Sequence, residues 1–204
     1  MAWKMFLIEP TNFCRRTLRR FYNSSVKGPM PGDHYHDGDV VIDETFDAGE
    51  GGHGRATMGE EYRGDPRWPK SCRCGYVFDD RDHWQMNETR LWKGSPDGKL
   101  YPLRETPPGA TWAADWYPEE GPNGHFTGPD GKAWCVMLPA GMEWIIYGFA
   151  SGNPKTKWDV QGVPPNITVS PSIHQVGFYH GFIRGGVITD DCDGKKFPKW
   201  PATA

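Results

Sequence analysis

Glycine and proline interrupt this chain at short intervals. The 26 Gly and 19 Pro among its 204 residues are about 22% of all positions, against about 12% in an ordinary protein. Ordering a Gly costs more backbone entropy than ordering any other residue. Pro donates no backbone hydrogen bond, so both weaken helix interiors. The sequence therefore predicts short strands, tight turns and little helix. No apolar run approaches the ~18 residues of a membrane span. No basic segment followed by an apolar core marks a secretory signal, so none is expected. Gly shows no three-residue period, heptads are absent, and no repeat of about 20–50 residues is found. Ten Trp and ten Phe argue against disorder, because disordered chains are poor in rings. With few aliphatics, those rings must fill much of the core.

The length suits one domain, with a core that needs no staples. Net charge is −3, which excludes the strongly basic class typical of general nucleic-acid binders. One basic cluster stands out, Arg15, Arg16, Arg19 and Arg20. It can grip phosphates or form a solvated face. The five cysteines, Cys14, Cys72, Cys74, Cys135 and Cys192, are odd in number. Without a leader they speak against a disulfide framework and for a reducing compartment, where close pairs are metal ligands or redox groups.

Element by element, residues 3–8 read as a buried strand ended by Pro10. Residues 15–22 read as its hairpin partner, and 39–45 as a short strand. The Gly-rich stretch 47–67 reads as a loop. Residues 79–86 suit one or two helical turns capped by Asp79, followed by a strand over 88–92. Ser95-Pro-Asp-Gly98 predicts a turn with 99–103 pairing back, and Gly128-Pro-Asp-Gly131 a second one leading into a hairpin of 132–138 with 143–147. Residues 163–169 and 181–188 read as a third pair. The expected architecture is mainly β, or β-rich α+β, with short antiparallel hairpins and long Gly/Pro-rich loops stapled by a metal. It forms one domain over 1–190, with a metal-knuckle subregion over 30–92 and an extended tail over 191–204.

Cys72-Arg-Cys74-Gly75 reads as a thiolate knuckle, since two thiolates two positions apart converge on one ion if Gly75 permits a tight turn. Zinc needs four ligands. His34 and His36 lie on one side of an extended segment, and Asp33 and Asp37 beside them can orient the imidazoles. The expected cofactor is thus a structural zinc on His34, His36, Cys72 and Cys74, with His180 in reserve. A second pair, His174 and His180, is followed by Asp190 and Asp191. It reads as general-base or metal groups, or as core histidine. Trp112, Trp116, Tyr117 and Trp134 read as core filling or as a stacking platform. No phosphate-binding loop, dinucleotide fingerprint or nucleophile elbow occurs. The sequons at Asn23, Asn87 and Asn166 are chance matches in a chain without a leader.

The Cys72-x-Cys74-Gly75 knuckle and the run from Pro165 through Ile173 to Tyr179-His180-Gly-Phe-Ile-Arg184-x-Gly186 resemble an uncharacterised protein family of tailed bacteriophages and prophages. Tyr35-His36-Asp37, residues 65–72 and residues 107–112 also resemble it, so the likeness covers most of 3–190. It implies a viral origin and marks His36, Cys72, Cys74 and His180. Relatives carry further Cys and His around 147–159; this sequence has none there, so no second metal site is implied. The expected function is a zinc-binding accessory or virion-associated protein with a structural or interaction role. It would act in the host cytoplasm or the virion on a phage or host protein partner, with no membrane. Alternatives are a metal-dependent phage hydrolase or nuclease, which would leave an open metal position, and a nucleic-acid-binding module.

Overall fold

The computed structural model describes residues 2–21, 40–49, 56–57, 71, 75–78, 83–117, 126–149 and 157–198, and for 18–21, 40–43, 56–57 and 83–86 the backbone alone. The fold is β-rich, as the density of chain breakers predicts. The strands in chain order are β1 (Trp3–Lys4), β2 (Phe6–Leu7), β3 (Glu9–Phe21), β4 (Val40–Asp47), β5 (Ala56–Thr57), β6 (His83–Lys93), β7 (Tyr101–Pro102), β8 (Ala110–Ala113) and β9 (Trp134–Met137). They continue with β10 (Glu143–Ile145), β11 (Asp159–Val163), β12 (Asn166–Ser170), β13 (Ile173–Gln175), β14 (Tyr179–Gly181), β15 (Ile183–Arg184) and β16 (Val187–Ile188). A 3-10 turn spans Leu103–Glu105. Among the described residues no helix is long and apolar enough to cross a membrane.

The chain forms two compact units, one of Met1–Glu9 with Trp92–Ala204 and one of Pro10–Leu91. Set against the single domain expected over 1–190, the first nine residues belong with the C-terminal half. In that first unit β2 lies parallel to β8, which pairs with β9 and then β10. β1 pairs with β16, and β16 with β15. β11–β12 and β13–β14 are separate hairpins. Two apolar clusters share β9. Val136 faces Met5, Trp144, Ile167, Ile173, Tyr179, Ile183 and Ile188, while Cys135 and Met137 face Ile8, Trp92, Ala110 and Trp112. A strand buried on both sides alternates between two cores, and each aliphatic side chain so buried stabilises the unit by about 1.5–3 kcal/mol. Trp112 is fully buried and its Nε1 has no partner among the described residues. Its ring is therefore present for bulk, the core-filling role expected of it. β12 alternates exposed and buried residues along its whole length, with Ile167 and Val169 inward. The segment after β16, which the sequence assigns to an extended tail from 191 on, packs Phe197 against Trp3 and Tyr179.

In the second unit the described strands lie in the order β4-β3-β6-β5. Here Arg16 on β3 faces Glu44 on β4 in register, and reaches Glu44 at 2.8 Å and Glu88 on β6 at 2.7 Å. Its guanidinium also lies 4.3 Å from the Phe46 ring centre. Arg16 is thus held by carboxylates from both neighbouring strands.

Several expectations need correction. Residues 3–8 do not form a hairpin with 15–22, because β3 pairs antiparallel with β4 and β1 and β2 pair with β16 and β8. Pro10 lies inside β3; registered pairing with β4 begins only at Phe13, so its missing N–H leaves that ladder intact. Residues 83–86 are not helical but open β6. The predicted third pair forms no registered ladder: Val163 ends β11, which pairs with β12, and 181–188 contribute to β14, β15 and β16, while Gly186 N–H donates to Ile167 O at 2.8 Å and joins the two runs at one point. The two Pro-Asp-Gly turns form as expected. Gly98 N–H donates to Ser95 O at 3.0 Å, and Gly131 N–H to Gly128 O at 3.0 Å. β7 returns to pair with β6, and β10 with β9.

Candidate functional site

The β13–β14 hairpin sets His174 directly opposite His180. Their neighbours Ile173 and Tyr179 point into the core. Since successive side chains alternate faces, the two imidazoles share the outward face. Their rings stack with centres 4.5 Å apart and planes 29° from parallel. A third donor comes from the segment following β16, where Asp191 acts as a backbone clamp. Its carboxylate accepts from the N–H groups of His180 at 2.8 Å, Asp193 at 2.9 Å and Lys195 at 3.1 Å, while Cys192 N–H donates to His180 O at 2.6 Å. Burial alone would push the Asp191 carboxyl up. The three N–H donors outweigh it and hold the group below its ordinary value. So clamped, the chain places Asp193 Oδ1 3.1 Å from His180 Nδ1. The ligand atoms of His174, His180 and Asp193 all lie within 4.8 Å of one another. Two imidazoles and one carboxylate are the donor types of zinc and its neighbours.

Ser172 Oγ lies 3.2 Å from His180 Nε2, so Ser172, His180 and Asp193 form a hydrogen-bonded chain in the order of an acyl-transfer relay. The Asp193 side chain is 56% exposed, however, and shares its charge with water. None of the three lines the groove described next.

That groove, of about 480 Å³, opens where four turns of the first unit meet. Pro108 and Pro139 line it with Phe178 from the β13–β14 turn and Phe197 from the final segment. Arg104 and Lys195 add two cations to one carboxylate, Glu105. Phe178 is 51% exposed and the neighbouring Val176 79%.

Of the sequence-predicted ligands, His34, His36, Cys72 and Cys74 lie outside the described residues. His180 lies within them, half-buried on the outward face and not in the core. Besides Ser172, its ring meets His174, which the sequence had paired with it, and Asp193, which the sequence missed in favour of Asp190 and Asp191. The hairpin is the signal that finds the pair, because a three-residue turn puts positions six apart face to face. Asp193 becomes visible only through the Asp191 clamp. Of the predicted ring platform, Trp112 is buried, Trp116 is half-exposed edge-on to Trp92, and Trp134 donates to Asp130 at 2.8 Å. Cys135 is fully buried, and burial followed by the charge of Glu143 raises its thiol far above the ordinary value; such a thiol is inert. Cys192 is an exposed thiol.

No family model, curated protein or solved structure matches this chain.

Proposed function

We propose that the chain is a bacteriophage-encoded accessory protein that works by binding another protein, in the host cytoplasm or on the virion, and not by catalysis. The phage assignment draws on the sequence resemblance. The binding role draws on one observation, the open groove between Phe178 and Phe197. Aromatic and Arg residues are enriched at the centres of protein interfaces, and a few buried rings carry most of the affinity. An apolar floor with an excess of cations selects an acidic segment bearing an apolar side chain. Mass spectrometry of purified particles and of affinity-captured complexes tests this reading. A specific partner should co-purify with the natural chain and be lost with Phe178→Glu and with Lys195→Glu. A partner retained equally by both variants would sink the groove as its site.

A further inference from the structure

We propose that His174, His180 and Asp193 bind one divalent transition-metal ion, zinc or a close neighbour, and that the ion ties the segment after β16 to the β13–β14 hairpin. The site shares no residue with the groove, and none of its three ligands is a cysteine. Three properties carry it. The donor set is mixed imidazole and carboxylate, which suits zinc, cobalt and nickel and ill suits calcium or magnesium. Backbone features fix all three positions: the register places His174 opposite His180, and the Asp191 clamp holds Asp193 beside them. The side chains themselves retain freedom, since His174 and Asp193 are exposed and His180 is half-buried. Donors on a tetrahedral ion lie about 3.4 Å apart, and the present limit is 4.8 Å. Rotations of exposed side chains close that gap without moving a strand. Little desolvation opposes binding, because the donors already face water.

Three protein donors leave the remaining positions to solvent. In a cleft that would suit catalysis, but here the donors are on the outer face of a hairpin, so the ion acts as a tie. It would bridge two stretches of backbone that at present meet through the Asp191 and Cys192 hydrogen bonds. The Ser172 contact to His180 Nε2 and the Asp193 contact to His180 Nδ1 compete with the ion for the same ring. Loading should therefore weaken at least one of them.

Titration of the chelator-stripped full chain with Co²⁺ and then Zn²⁺ decides the matter. Binding should saturate at a single ion outside the thiolate class, giving weak ligand-field bands of nitrogen and oxygen ligation without a thiolate-to-cobalt charge-transfer band. His174→Ala and Asp193→Ala should each weaken it about tenfold or more. Both side chains are exposed, so the metal-free variants should melt where the natural chain melts. Zinc should raise the melting temperature of the natural chain and not that of the double variant. If affinity survives His174→Ala, the proposal fails. It also fails if the only ion bound carries thiolate bands, which would place the metal at cysteines instead. A metal-free chain that binds neither ion overturns it outright.

Discussion

The carboxylate of Asp97 gathers three donors within one tight turn. The Ser95 hydroxyl lies 2.7 Å away, the Lys99 N–H 3.1 Å and the Tyr101 hydroxyl 2.5 Å. The hydrogen bond from Ser95, followed by that from Tyr101, holds the carboxyl down at about 2. Burial first, and then the same carboxylate, pushes the Tyr101 hydroxyl up to about 12. A carboxyl whose value falls on folding stabilises the fold at pH above its unfolded value. That contribution is lost as the pH drops through the folded one. The natural chain should therefore lose stability between about pH 4 and 2 more steeply than Asp97→Asn, as followed by acid unfolding monitored through Trp fluorescence. Equal slopes would mean that the turn does not depend on this charge. At the residue scale the turn itself was legible, since Ser-Pro-Asp-Gly states its own turn chemistry, while the reach of Tyr101 back to Asp97 was not. Asp193 was not. Nothing in a string of residues shows that Asp191 is clamped by three N–H groups and thereby sets the residue two positions on.

At the scale of elements, β3 shows what a pattern of residues can and cannot reveal. Leu18, Phe21 and Tyr22 sit at helical spacing, and only the β-branched Thr17 and the Arg-Phe-Tyr run favoured a strand, so its character was faintly legible and its partner was not. Partner choice is a matter of register with distant chain, and here the match of Arg16 to Glu44 and Glu88 accompanies it. Glu88 is buried, so removing Arg16 strands a carboxylate away from water. Arg16→Ala should cost about 2–3 kcal/mol, whereas Glu44→Ala should cost under about 1 kcal/mol because Glu44 is 44% exposed. Chemical denaturation of both variants checks the ordering, and a larger loss for Glu44→Ala would contradict it. The same geometry bears on the nucleic-acid alternative, because Arg16 is engaged within its own sheet. The C-terminal hairpins taught the opposite lesson. Residues 163–169 and 181–188 were correctly seen as strand-rich, yet each run splits among several short pairings. The Pro164-Pro165 turn and Gly185 and Gly186, both at positive φ, mark those breaks, and a window of hydrophobicity blurs them.

For the whole molecule, β-rich architecture followed from the spacing of Gly and Pro, because local turn chemistry fixes it. The division into two units did not. The first unit is discontinuous in the chain. It draws β1 and β2 from residues 3–7 and its remaining whole strands from β7 onward, and contacts between residues more than a hundred positions apart leave no local trace. Replacing residues 10–91 by a short flexible linker should leave that unit folded, with a cooperative melt and buried-Trp fluorescence. Removing residues 2–9 instead should abolish the melt, because β8 and β16 each lose one of their two partners and the core loses Met5 and Ile8. A folded product from the second deletion would show that the N-terminal strands are dispensable.

Gly94 has a consequence beyond its own position. At φ +118° it leaves so little space that an added Cβ would sit 3.1 Å from the Ile8 Cα. The chain thus departs after Glu9 and re-enters at Trp92 through neighbouring doors. Eighty-two positions could be exchanged there for a segment whose ends lie equally close, with the β1–β16 and β2–β8 pairings left in place. The second unit is in that sense an insertion at a single place in the first.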